Sequence, residues 1–151
     1  MAHLQWSSNL DTGIEVIDEQ HKRIVNYINQ LYDAKESGDQ TMVGDVINEL
    51  VDYTISHFAF EESLMEQAGY SFLEPHKKVH EMFTHKVNDF VTRHKNGEDV
   101  LEEVLTMLNR WLINHIQNED GDYTDIVQDK IKKMQENNDD WLSKAMHKFF
   151  G

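Results

Sequence analysis

Apolar residues recur along this chain at intervals of three and four, the period of a helix with one buried face. Breakers divide that pattern. An N-terminal arm runs to about Ile17, and Asp18 is placed to cap a first helix that carries "EQHKRIVNYINQLYDAKES" as far as Gly38. A second helix is predicted from about Gln40 to Ala68, stopping at "GY". Ser71 is placed to cap a third, with Pro75 in the first turn, where its missing N–H is no loss. "KNG" at Lys95 to Gly97 breaks the chain again; Glu98 and Asp99 then open a fourth helix with charges that suit its positive dipole end, lasting to about Gly121. Helices of about 20 residues are about 30 Å long, and short connections make sequential neighbours antiparallel. The expectation is an all-α chain: one domain, an up-down-up-down antiparallel four-helix bundle over 18–121, a short N-terminal arm over 1–17 and a C-terminal helical extension over 122–151.

Composition narrows the function. The 151 residues suit one domain with a sizeable core. A formal net charge of −14, with acids spread throughout, repels a phosphate backbone or an anionic membrane, so no nucleic-acid partner is expected. With no cysteine, any metal is held by nitrogen and oxygen. The opening "MAHLQWSSNL" has neither a basic nor an apolar leader region, and no later stretch is apolar for long enough to span a bilayer. A cytoplasmic protein without stable membrane insertion is expected. One proline, few glycines and abundant Glu, Lys, Gln, Leu and Met favour helix over strand.

At 100° per residue, each helix aims histidine into its apolar face. In the first, Ile17, Ile24, Val25, Ile28 and Tyr32 lie within about 60° of His21. In the second, Val43, Val46, Ile47, Leu50 and Thr54 share a face with His57 and Glu61, since a spacing of four returns nearly to one azimuth. "HKKVH" puts His76 and His80 on the stripe of Val79, Phe83, Val87 and Phe90, and Leu101, Val104, Leu108, Trp111 and Leu112 lead to His115. One such histidine is ordinarily a hydrogen-bonded core residue; five converging on a carboxylate need a common partner, and a metal ion supplies one. His3 and His147 lie near the chain ends, His85 points about 140° away from His80, and His94 sits at a helix end where it suits the dipole; these four are set aside.

Five imidazoles and one or two carboxylates exceed a tetrahedral zinc site and are the wrong type for calcium or magnesium. Two metals are implied, and mixed imidazole and carboxylate ligation suits iron, manganese or copper, with iron the reading taken. The Glu-x-x-His pairs of ferritin-like di-iron proteins are absent from this chain. A histidine-rich, carboxylate-poor site supports high-valent iron less readily, which favours reversible chemistry over oxygen activation.

The segments "DEQHKRIVNYINQL", "HFAFEE", "HKKVH" and "WLINHIQNED" resemble, in order, the ligand segments of the hemerythrins, more closely their bacterial single-domain type, over roughly Trp6 to Tyr123. The resemblance implies two non-haem iron ions in an oxo- or hydroxo-bridged di-iron centre. By that analogy His76, His80 and His115 bind one iron, His21 and His57 the other, and Glu61 and Asp120 bridge them. The second iron is left one ligand short, and dioxygen enters there. Periodicity alone favours Glu119 over Asp120, which lies about 140° from His115 on an ideal helix; the family pattern selects Asp120. The resemblance also puts Ile24, Phe58, Leu112, Ile116 and Trp111 around bound oxygen, where a dry pocket protects it, with Tyr123 as a nearby donor or aromatic cover.

Typical relatives are expected to end soon after the fourth helix, so the stretch from about Lys130 to Gly151 departs from the pattern. Trp141, Leu142, Ala145, Met146, Phe149 and Phe150 form one helical stripe beside Lys144 and Lys148. A helix folded back on the bundle is expected; a docking helix for a protein partner or a membrane surface is the other use of such a stripe. The function implied by the resemblance is reversible oxygen binding for storage, delivery or scavenging. A di-iron enzyme acting on peroxide or nitric oxide, and an oxygen or iron sensor module, are the alternatives.

Overall fold

The computed structural model describes residues 4–115, 124–136 and 141–150. After a short 3₁₀ turn at Ser8–Leu10 come α1 (Glu15–Ser37), α2 (Gln40–Ala68), α3 (Leu73–Lys95), α4 (Leu101–Asn114), α5 (Thr124–Glu136) and α6 (Trp141–Phe150). The described elements are helical, and α1 to α4 follow the expected bundle order. Among the described residues no helix is long and apolar enough to cross a membrane.

The helix ends show which local signals carried weight. Helix α1 starts at Glu15, ahead of the expected Asp18. Instead of capping, the Asp18 carboxylate reaches back and accepts both the N–H and the hydroxyl of Thr12, each at 2.8 Å. An acid in the first turn can satisfy donors outside the helix while still facing its positive end, so the arm is tied down and the helix gains a turn. Asp39 does cap α2, accepting from the Met42 N–H at 3.1 Å. Helix α3 begins after Phe72, not Ser71, without a side-chain cap, and Pro75 falls in its first turn as expected. Helix α4 starts at Leu101, whose N–H the Asp99 carboxylate accepts at 3.3 Å.

Two apolar clusters form the core. The larger joins Ile24, Ile28, Leu31, Ile47, Leu50, Phe58, Phe83, Val87, Leu108 and Leu112. The smaller gathers Ile14, Ile17, Phe60, Leu64, Met65 and Val127. Along α1, His21 falls between Ile17 of one cluster and Ile24 of the other; along α2, Glu61 stands between Phe58 and Leu64. The polar residues form a layer between two dry regions. Each fully buried large side chain, such as Phe60 or Leu64, contributes roughly 1.5–3 kcal/mol, and together these offset the cost of that layer.

The C-terminal extension comprises two helices, both packed against α2. Val127 of α5 is buried, and the Gln128 amide donates to the Thr12 carbonyl at 3.2 Å. Gly13 lies beneath it with a positive φ of 85°, a conformation that strains any other residue, and a Cβ there would push the Gln128 amide aside. Met146, Phe149 and Phe150 of α6 pack against the smaller cluster. The Phe150 ring lies 5.6 Å from that of Tyr53 and 5.7 Å from that of Phe60, while Lys144 and Lys148 are exposed. The described apolar side chains of the stripe are therefore used within the chain, as a folded-back helix requires.

Candidate metal centre

Inward-facing positions on four helices bring the predicted residues together. His21 comes from α1, His57 and Glu61 from α2, His76 and His80 from α3, and His115 directly follows α4. All six are buried. Donor atoms of His21, His57, Glu61 and His115 lie within 4.8 Å of one another, and so do those of His76, His80 and His115. His115 thus belongs to both groups. Ring centroids are 4.8 Å apart for His21 and His57, 4.9 Å for His76 and His80, and 5.2 Å for His80 and His115.

Glu61 is the centre of charge. Its Oε1 lies 2.8 Å from His57 Nε2, 3.2 Å from His115 Nε2 and 3.8 Å from His80 Nε2. Burial alone would raise its carboxyl, but the positive charge and hydrogen bonds of His57 and His115 outweigh that and hold it well below the usual carboxylate range. For His80, burial comes first and lowers the imidazole, against the opposing pull of Glu62 and Glu61.

The outer nitrogens test whether a cation fits. His57 Nδ1 lies 2.6 Å from the Gln20 amide oxygen while its Nε2 faces Glu61. His80 Nδ1 lies 3.1 Å from Glu62 Oε2 while its Nε2 also faces Glu61. A neutral imidazole donates from one nitrogen only, yet each ring faces acceptor oxygens on both sides. Either the ring carries a charge into a buried site, or Nδ1 donates outward and the Nε2 lone pair serves a cation beside Glu61. The second arrangement is the one found around metal-ligating histidines, and the donor set of imidazole and carboxylate suits it.

Gln20 and Glu62 are functional neighbours that sequence reasoning did not select. Gln20 had a signal, since it falls between Ile17 and Ile24 at helical spacing and is buried. Glu62 is one residue beyond Glu61 and had none. Of the expected pocket, Ile24, Phe58 and Leu112 are buried. Phe58 stacks on His80 at 3.8 Å, and the half-buried Trp111 stacks on His115 at 4.8 Å and on Phe83 at 3.8 Å. Ile116, Asp120 and Tyr123 lie outside the described residues.

Residues 12–127 match the family model of the hemerythrin HHE cation-binding domain. The chain belongs to the hemerythrin family. It is 50% identical over 153 aligned positions to the bacteriohemerythrin of Pseudomonas aeruginosa, with both chains covered in full. It is 32% identical over 120 residues to the myohemerythrin of Theromyzon tessulatum, covering 79% of this chain and 89% of that one. The crystal structure of a wild-type hemerythrin matches with a TM-score of 0.79 at 28% identity, covering 83% of this chain and 98% of the other. The hemerythrin model stops at residue 127, so α6 lies beyond the matched domain, but the full-length match to the Pseudomonas chain runs through it, contrary to the expectation that relatives end soon after the fourth helix.

Proposed function

We propose that this protein binds dioxygen reversibly at a non-haem di-iron centre, for oxygen storage, delivery or scavenging. The observation that carries the reading is the pair of buried donor groups sharing His115. In this reading His76, His80 and His115 hold one ion and His21 and His57 the other, with Glu61 and Asp120 bridging. Asp120 rests on the family pattern.

When bound, two ferrous ions supply the electrons that dioxygen takes up and returns on release. The chain supplies the rest. Gln20 and Glu62 accept the Nδ1 protons of His57 and His80, which keeps the Nε2 lone pairs turned inward. Glu61, ionised although buried, balances cationic charge. Ile24, Phe58, Trp111 and Leu112 exclude water around the oxygen position, a role that the family pattern extends to Ile116, with Tyr123 as a nearby donor or aromatic cover. The excess of imidazole over carboxylate favours return of the oxygen over its activation. Relatives named bacteriohemerythrin and myohemerythrin support the same reading.

The test loads the purified protein with ferrous iron under anaerobic conditions, counts bound iron, then adds and withdraws oxygen while the visible spectrum is recorded. Two irons per chain and a band that appears with oxygen and vanishes on its withdrawal are expected. Rapid oxidation without a reversible band would turn the reading toward a redox enzyme or a sensor. Failure to take up two irons would overturn the site itself.

A further inference from the structure

The Gln20 side chain is engaged at both ends. Its Oε1 lies 2.6 Å from His57 Nδ1, and its Nε2 donates to the Met146 thioether at 3.5 Å. Met146 belongs to α6, far along the chain from either partner. A thioether accepts and cannot donate, so it selects one of the two orientations of the amide. The nitrogen turns to sulfur and the oxygen to His57. An amide oxygen beside Nδ1 in turn holds a proton there and fixes the plane of the ring, with Nε2 toward Glu61.

Met146 does not hold this position through Gln20 alone. Phe150 lies against Tyr53 and the fully buried Phe60, and Phe149 packs on the same cluster, so α6 is seated independently of the link. Gln20 and Met146 also line one surface groove of about 910 Å³, together with Arg23, Tyr27 and Tyr53. The link therefore runs from an outer groove to a buried imidazole.

We propose that α6 is a clasp on the metal centre: Met146 fixes the amide of Gln20, and Gln20, as a positioning residue, sets the ring orientation of His57. The proposal rests on the metal-binding reading above and goes beyond it, because α6 lies outside the region shared with the family model. The C-terminal segment thereby adjusts the half of the site nearest His21 and His57.

The test uses the full chain labelled with ¹⁵N-histidine, with Met146→Leu as the main variant. Leucine keeps most of the volume and removes the acceptor. In the metal-free wild type, the proton on His57 Nδ1 exchanges slowly with solvent. In Met146→Leu that exchange becomes several-fold faster, and ferrous iron affinity at one of the two positions falls about tenfold, as loss of an outer hydrogen-bond partner generally does. A Gln20→Glu background separates orientation from packing. A carboxylate presents an acceptor whichever way it turns, so there Met146→Leu changes nothing further at His57.

Wild-type His57 signals in Met146→Leu, or an equal effect in both backgrounds, would overturn the clasp. If the wild type takes up no iron, the metal reading falls, while the His57 signals of the metal-free protein still decide the clasp in the same way.

Discussion

Phe58→Ala probes how the polar layer is kept dry. Phe58 is 3% exposed, and its ring stacks on His80 at 3.8 Å with an interplanar angle of 6°. It also meets the rings of Trp111 at 5.6 Å and of Phe83 and His115 at 5.7 Å each. On its outer side lies a cleft of about 390 Å³ lined by Ile55, Ala59, Glu62, His80 and Thr84. The ring is the partition between that cleft and the inner histidines. Deleting a buried phenylalanine side chain costs about 3–5 kcal/mol, made up of lost transfer energy and the cavity left behind. At about 2–4 °C per kcal/mol for a chain of this size, the melting temperature should fall by about 6–20 °C. Calorimetry on metal-free protein is the assay, because bound metal would add its own stabilisation. The iron-loaded variant should also lose its reversible response to oxygen sooner than the wild type, since water now reaches the site. A variant that melts within about 2 °C of the wild type would refute the packing argument. One that melts lower yet keeps the wild-type oxygen response would refute the partition.

Metal removal and pH give further tests. With free ferrous iron at about a hundred times its dissociation constant, stability should rise by about 2.7 kcal/mol, or about 5–11 °C, and a chelator should reverse it. His80 is held below the ordinary imidazole value of 6.5, chiefly by burial, and Glu61 well below 4.5, its two histidine partners outweighing burial. In both cases the unfolded chain takes up the proton first. Stability present at neutral pH is therefore lost as the pH falls below 6.5 for His80 and below 4.5 for Glu61, and the urea midpoint of metal-free protein should decline on acidification. A midpoint that rises between pH 7 and pH 5 would contradict this sign. Glu62→Ala should weaken iron binding about 10- to 100-fold in a chelator competition, with Glu62→Gln intermediate, because His80 loses the acceptor that orients it. Gly13→Ala should lower stability by about 1 kcal/mol, read from chemical denaturation, since alanine is strained at this positive φ.

Much of the site was legible from local periodicity. The azimuth of a side chain on a helix depends only on its number, so His21, His57, Glu61, His76 and His80 could be assigned to inward faces before any helix was placed beside another. Helix ends were legible where one signal dominated, as at Gly38, where α1 stops. They were not where two uses competed for one side chain: Asp18 had the chemistry of a cap, yet Thr12 offered it two donors at once. Asp120, outside the described residues, rests on the family pattern, since an ideal helical period selects Glu119 instead.

What the tertiary structure decided is which groups meet across helices. The pairing of Gln20 with His57 and Glu62 with His80, the sharing of His115 between two donor groups, and the contact of Met146 with Gln20 all depend on the axial offset and rotation of one helix against another. Those quantities are set by packing of the two apolar clusters, a collective property of residues distant in sequence. The apolar stripe of the last helix was visible in the sequence, but a stripe says only that a surface must be covered. Tyr53 and Phe60 on α2 provide that cover for Phe150. Periodicity therefore determined which faces were buried, and packing determined what each face was buried against.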